Sequence, residues 1–384
     1  RWHDRAPRAA ARCPHFGACG GCQLQHLPPD EIARWQCAQV ATALARNGLG
    51  DCLIEPAPAM PAATRRRARL AFGRRGSRVP LGFRGRASRT ITDLEACAVV
   101  MPEIEALVPH LRAALADLPL AKDGGEVLVT AAESGLDLLL VAAPEPVLQD
   151  REVIAGLAAD QDLARVAWQR RVADEPEIIV QRRPVRVSFA GTLAELPPGA
   201  FLQATVEAET QIRAAVQAAI ATARGGTGRL ADLYAGCGTF ALPLAAAGHR
   251  VHAVEIAPEM VTAFETAARV AGIGNRLTAE VRNLGRAPLA GTELDRLDAV
   301  ILDPPRAGAQ PQARMLAGSS VPRIVMVSCY PATFARDARV LVDGGYRLDS
   351  VQLIDAFLWS SRIELVASFS RPSRATPPRA KFGA

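Results

Sequence analysis

Apolar and polar positions change rhythm twice along the chain. After Phe201, compact apolar runs alternate with stretches of helical period. Arg229 to Tyr234, Arg250 to Glu255, Leu277 to Val281, Leu297 to Asp303 and Arg323 to Ser328 predict strands, while Glu259 to Ala271 and Ala332 to Val342 predict helices. This alternation predicts a parallel sheet with both faces covered. Tyr346 to Ile354 and Arg362 to Ser370 follow without an intervening helix and predict an antiparallel edge. Between Thr64 and Leu196 the runs are shorter (Ala68 to Phe72, Glu126 to Thr130, Leu136 to Val141, Glu177 to Val180, Val185 to Phe189), with a helix expected at Pro102 to Asp117. That is the pattern of a small α+β unit. Ahead of it lie a cysteine-rich loop and one helical stretch, Asp30 to Arg46, with Asp30 as its expected N-cap.

The fold class is therefore α/β: a Rossmann-like sheet of seven strands with a smaller α+β unit and an N-terminal cysteine-rich segment. Pro56, Pro58 and Pro61 mark the first composition break. The expected divisions are 1–55, 56–196, 197–370 and a basic, disordered tail over 371–384. A length of 384 residues agrees with two or three such units. No uncharged apolar run approaches the ~18 residues of a membrane helix; the nearest, Leu233 to Gly248, is broken by Gly236, Gly238 and Pro243. With no apolar signal-peptide core, the expectation is a soluble cytoplasmic protein, monomeric and without a membrane partner.

Lys and Arg number 45 against 39 Asp and Glu, and all of the 45 but Lys122 and Lys381 are arginine. Arginine suits planar, bidentate phosphate contacts. Its clustering says more than its total. Ten arginines (65, 66, 67, 69, 74, 75, 78, 84, 86 and 89) lie between Thr64 and Thr90 with no acidic residue among them, and Phe72 and Phe83 are interleaved. A merely solvated face mixes signs, so this one is expected to bind RNA through phosphate contacts and some base stacking.

Four features carry candidate chemistry. Asp232-Leu-Tyr-Ala-Gly-Cys-Gly238 runs from an apolar strand through Gly236 and Gly238 into a helix, the form of a nucleotide-type cofactor loop. Glu255, ending the next strand, is placed to take ribose hydroxyls. Taken alone, the loop also fits a nicotinamide-dependent oxidoreductase. Asp303-Pro-Pro-Arg306 ends the fourth strand, where open α/β sheets bind ligands, and Cys329 ends the fifth as a candidate nucleophile. Finally, Cys13, Cys19 and Cys22 fall within ten residues around Gly20-Gly21, a metal-ligand pattern. Spacing leaves the fourth ligand open among Cys37, Cys52 and Cys97, and leaves zinc and an iron–sulfur cluster both admissible.

These motifs, with Phe201-Leu-Gln203, Ser328-Cys329 and Glu364, resemble in order the RNA uracil-C5 methyltransferases, and most closely their iron–sulfur branch acting on 23S ribosomal RNA. The resemblance spans Cys13 to Phe369. It implies a class I methyltransferase fold, S-adenosylmethionine as cofactor and a [4Fe-4S] cluster on Cys13, Cys19, Cys22 and Cys97. It implies Cys329 as the nucleophile at uracil carbon 6 and Glu364 as the base at carbon 5. Asp303 would lie beside uracil and cofactor, and Gln203, Tyr234, Gly236, Gly238, Glu255 and Asn283 would contact the cofactor. Transfer RNA is the alternative substrate, and a non-catalytic iron–sulfur RNA-binding relative the alternative function. The target uracil is expected to flip into the cleft beside Cys329. Four places depart from the family pattern: Tyr330 where asparagine is usual, Thr239 in the glycine loop, Ala204-Thr205, and Trp359-Ser-Ser-Arg362.

Overall fold

The computed structural model describes residues 9–76, 78–221 and 226–371. The expected tail lies outside these residues except for Arg371. Down the chain, α1 (Pro29–Arg46) and β1 (Ile54–Glu55) come first, followed by β2 (Arg67–Phe72), β3 (Leu81–Arg84) and β4 (Ile91–Asp93). Next are α2 (Pro102–Asp117), β5 (Gly125–Ala132), β6 (Gly135–Val141), α3 (Leu148–Asp160), β7 (Arg165–Gln169) and β8 (Glu177–Gln181). The hairpin β9 (Arg186–Phe189) and β10 (Thr192–Glu195) leads to α4 (Val206–Ala221). The alternating part comprises β11 (Arg229–Leu233), α5 (Ala241–Ala246), β12 (Arg250–Glu255), α6 (Pro258–Val270), β13 (Leu277–Val281), β14 (Ala299–Leu302) and α7 (Gln310–Ala317). It closes with β15 (Arg323–Ser328), α8 (Pro331–Asp343), β16 (Arg347–Ile354) and β17 (Glu364–Ser370).

Two sheets organise these elements. The first has the order β1-β16-β17-β15-β14-β11-β12-β13, and β17 runs antiparallel to both its neighbours. Without β1, this is a sheet of the expected seven strands. β16 and β17 thus form the expected antiparallel pair at this end of the seven strands. Burial fits their order: β17 is buried along nearly its whole length, whereas β16 is mostly half-exposed and takes the outer place. A two-residue strand from the first segment extends the sheet, Ile54 pairing in parallel with Val351. The second sheet, β4-β3-β2-β5-β6-β7-β8, is antiparallel apart from the β6–β7 pair.

The first segment packs on the first sheet as well. Val40 and Leu44 of α1 are buried with Phe334, Ala338 and Leu341 of α8. Pro28, not Asp30, occupies the N-cap of α1; Asp30 lies in the first turn and pairs with Arg34. Proline pre-sets the φ of a first turn, so no side-chain cap is needed there. Among the described residues no helix is long and apolar enough to cross a membrane.

Candidate active site

β11, β12, β14 and β15 are parallel and end at one edge, so the loops after them converge. After β11 the chain turns through positive φ at Tyr234, Gly236 and Gly238. The two glycines serve different ends. A Cβ at Gly238 would stand 2.9 Å from Phe264 Cβ, so the residue lets α6 pack, while one at Gly236 would meet only open space where a ligand can approach. The Gly236 N–H donates to Glu255 Oε2 (2.9 Å), and the Ile256 and Ala257 N–H groups donate to Oε1 at 2.8 and 3.1 Å. Three backbone donors thus fix the Glu255 carboxylate beside the loop. Asn283 behaves differently: its Oδ1 accepts from Gly285 N–H at 3.0 Å, so its side chain shapes its own turn. Burial, and then Asp337, push the Tyr234 hydroxyl up to about 12.

Deeper on the same edge lies a row of buried acids. Asp232 is fully buried, and neither carboxyl oxygen has a well-formed hydrogen-bond partner, although the Ala241 N–H acts on it. Burial, then the nearby Asp303 and Glu255, raise it to about 8. Asp303 is raised to about 7 by burial and accepts a 3.3 Å hydrogen bond from Gln203 Nε2. The ladder register does the rest. Ser328 pairs with Leu365, so Cys329 and Glu364 are the next residues facing each other across β15 and β17. Glu364, which as an isolated strand glutamate would read as solvent-facing, is only 4% exposed. Burial and then Asp303 hold its carboxyl well above the ordinary range. Cys329 rises to about 11 through burial, then Glu364 and Asp303, with Arg306 opposing.

Cys329 and Glu364 line a cavity of about 720 Å³ that also takes in Arg65, Arg67, Arg306 and Arg362. Its arginines lie against rings: Arg65 and Arg362 over Phe357 (5.7 and 5.8 Å), Arg67 over Phe201 (5.2 Å). The arginine cluster is not uniform. Arg66 is buried, paired with Glu209 of α4, and its Nε donates to the Gln203 carbonyl oxygen (3.0 Å). It is a structural cation, contrary to its expected place on the RNA surface. Glu126 of β5 sits between Arg69 and Arg84, at 3.1 and 3.4 Å, bringing in an acid that the local sequence lacks.

Comparisons with known proteins identify the family. The family model described as tRNA (Uracil-5-)-methyltransferase matches residues 195–371. An RNA methyltransferase of Mesorhizobium japonicum, named as uncharacterized, is 40% identical over 96% of this chain and 86% of its own length. The 23S rRNA (uracil(1939)-C(5))-methyltransferase RlmD of Chromohalobacter salexigens is 34% identical over 95% of this chain and 77% of its own. The chain belongs to the RNA uracil-5-methyltransferase family. A solved tRNA (uracil-54, C5)-methyltransferase of Pyrococcus abyssi shares the fold, with a TM-score of 0.70 at 22% identity over 93% of this chain and 86% of that one. Membership in the family sets aside the oxidoreductase that the glycine loop alone admits.

In this RNA uracil-5-methyltransferase, Cys13, Cys19, Cys22 and Cys97 line the far end of the same cavity, and the Gly21 N–H donates to Cys19 Sγ (3.3 Å). Cys37 packs instead among the residues between α1 and α8. Neighbouring thiols oppose the ionisation of Cys22: burial first, and then Cys97, Cys19 and Cys13, raise it to about 11. A cation would relieve that opposition, so the donor chemistry suits a metal group. Among the described residues, however, no three His, Cys, Asp or Glu side chains form a group ready to hold one metal ion.

Asp232, a motif residue for which the sequence alone points to no role, has a measurable signature. Its carboxyl keeps a proton in the folded chain up to about pH 8, whereas the unfolded chain releases it near 3.8. Between those values the folded state binds more protons, so ligand-free stability falls as pH rises. Asp232→Asn is expected to remove this fall and raise the melting temperature at the alkaline end by at least about 2 °C, the typical response to 1 kcal/mol in larger chains. The difference should vanish at acid pH. Thermal scans across pH check it, and a constant offset would assign the carboxylate another environment.

Proposed function

We propose that the protein methylates carbon 5 of a uridine in 23S ribosomal RNA through a transient bond between Cys329 and carbon 6, using S-adenosylmethionine. The observation that carries this reading is the nearness of Cys329 and Glu364 on the wall of an arginine-lined cavity. Carbon 5 of uracil is a poor nucleophile. Thiolate addition at carbon 6 forms an S–C bond and drives the ring electrons toward carbon 5 and the O4 oxygen. S-adenosylmethionine, when bound, would supply the methyl group that carbon 5 takes up, its S–CH3 bond breaking to leave S-adenosylhomocysteine. Glu364 then removes the carbon 5 proton, the double bond reforms and Cys329 leaves as thiolate. Asp303, tied to Gln203, would lie beside the ring and the cofactor, and Tyr234, Gly236, Gly238, Glu255 and Asn283 would hold the cofactor.

The ribosomal assignment is supported by the 34% identical relative that acts on 23S RNA. The four thiols, Cys13, Cys19, Cys22 and Cys97, are assigned to an iron–sulfur cluster. Iron and sulfide analysis of anaerobically prepared protein, with the visible spectrum, tests that independently of activity. Labelled methyl transfer to unmodified 23S and transfer RNA, followed by nucleoside analysis, tests the reaction. 5-Methyluridine appearing only in transfer RNA would overturn the ribosomal assignment.

Two further outcomes are expected. Glu364→Gln removes the base after the methyl group has arrived, so covalent enzyme–RNA species should accumulate with labelled methyl while turnover falls by about 10²–10⁴-fold. Denaturing gels with labelled cofactor detect this, and full turnover would exclude the role. Arg86 and Arg89 are exposed on the β3–β4 connection. Replacing both with glutamine should reduce the slope of log affinity against log salt by about 0.7 per lost phosphate contact. RNA titrations across salt concentrations read it, and an unchanged slope would remove this face from the RNA surface.

A further inference from the structure

Arg306, like Arg65, Arg67 and Arg362 of the cavity, lies against a ring. It follows Asp303-Pro-Pro in the turn after β14, and its guanidinium lies 4.8 Å from the centre of the Tyr330 ring. Tyr330 directly follows Cys329, in the place where asparagine is the usual residue. The two loops are stitched at the backbone: Thr333 Oγ1 donates to the Arg306 carbonyl oxygen (3.1 Å) and to that of Tyr330 (3.2 Å). Among the described residues the Arg306 guanidinium makes no ion pair. A cation is thus held by a ring and a stitched turn on the wall that carries the thiol.

Charges face Cys329 from each neighbouring element. Glu364 comes from β17, Asp303 from the end of β14 and Arg306 from the turn beyond it. The two carboxyl groups oppose a thiolate, and Arg306 favours one. The phenol of Tyr330 presents its ring face to the guanidinium, where attraction is directional and holds the cation in place.

We propose that Arg306 is the resident cation that favours the ionised form of the Cys329 nucleophile, and that Tyr330 is the positioning residue that keeps it there. The inference rests on the reading of Cys329 as nucleophile, but it concerns the thiol itself and can be tested without RNA. It also gives the departure at Tyr330 a role: the ring does for Arg306 what an ion-pair partner would do, without neutralising its charge.

The experiment is alkylation of the intact protein by iodoacetamide, with modification at Cys329 followed by peptide mass spectrometry from neutral to alkaline pH. Below the thiol pKa the rate tracks the thiolate fraction. Arg306→Met is expected to slow Cys329 labelling at neutral pH about tenfold, the effect of one pKa unit, and to leave the alkaline plateau unchanged. Arg306→Lys should restore most of the loss. Tyr330→Leu should slow labelling about threefold, in keeping with a part-exposed cation–ring contact. Superimposable profiles for wild type and Arg306→Met would overturn the proposal, as would a change confined to RNA affinity. Methyl transfer persisting in Cys329→Ala would instead bring down the underlying reading, so the two failures are distinguishable.

Discussion

Cys329→Ala is expected to lower methyl transfer by at least about 10⁴-fold, the scale on which removal of a nucleophile acts when the rest of a site survives. The loss should be one of chemistry and not of folding. Cys329 lies at the rim of the sheet, half-buried in a cavity wall, and the substitution removes one sulfur from a space already open to the cleft. Melting temperature and cofactor affinity should stay near wild type. RNA carrying 5-fluorouridine gives a second reading. After thiol addition and methylation, fluorine at carbon 5 cannot leave as a proton does, so the adduct should stall as a denaturant-stable species. Wild-type protein is expected to form it and Cys329→Ala to form none. Activity retained above a few per cent, or an adduct formed without the thiol, would sink covalent catalysis at this residue.

The legibility of this site in the sequence followed the range of the interactions that build it. The glycine loop, Glu255, Asp303 and Cys329 each end a strand whose apolar run is a local signal, and parallel topology then brings strand ends together. Glu364 depended on register. Nothing in Arg362-Ile-Glu-Leu states that β17 runs antiparallel between β15 and β16, and only that pairing puts the carboxyl opposite the thiol. Composition gave no help either, because β17 alternates Leu365, Ala367 and Phe369 with Glu364, Val366, Ser368 and Ser370, the pattern of a half-exposed strand, although all but Ser370 are buried. Asp232 did offer a hint, an acid enclosed by Leu230, Ala231 and Leu233 in a strand otherwise fit for full burial. β1 is two residues long and left no periodic trace. The arginine cluster misled in one respect, because charge density along the chain does not distinguish a phosphate contact from an internal pair. Arg66 neighbours Arg65 and Arg67 in sequence, but strand alternation turns its side chain into the protein.

That inward arginine carries the largest expected effect on stability. Arg66 and Glu209 are both almost wholly buried, with side chains 4% and 2% exposed, and they join the start of β2 to α4. The pair is asymmetric. Glu209 also binds Arg213, at 2.7 Å, whereas Arg66 has Glu209 as its carboxylate partner and the Gln203 carbonyl as its other acceptor. Glu209→Leu therefore strands a buried cation and is expected to cost about 3–5 kcal/mol, the usual penalty for breaking a buried pair from one side. Arg66→Met leaves Glu209 paired with Arg213 and should cost less. The double variant should recover part of the Glu209→Leu loss, since two apolar side chains can replace a buried ion pair at little net cost. Arg66→Met has a second consequence at the site. Arg66 Nε holds the Gln203 carbonyl, and Gln203 in turn reaches Asp303, so cofactor affinity should weaken. Denaturant midpoints for the three variants, with cofactor titrations of the folded proteins, check both claims. If Arg66 instead met phosphate, Arg66→Met would leave stability within about 0.5 kcal/mol and would lower the salt slope of RNA binding by about 0.7, the reverse of the order expected from its burial.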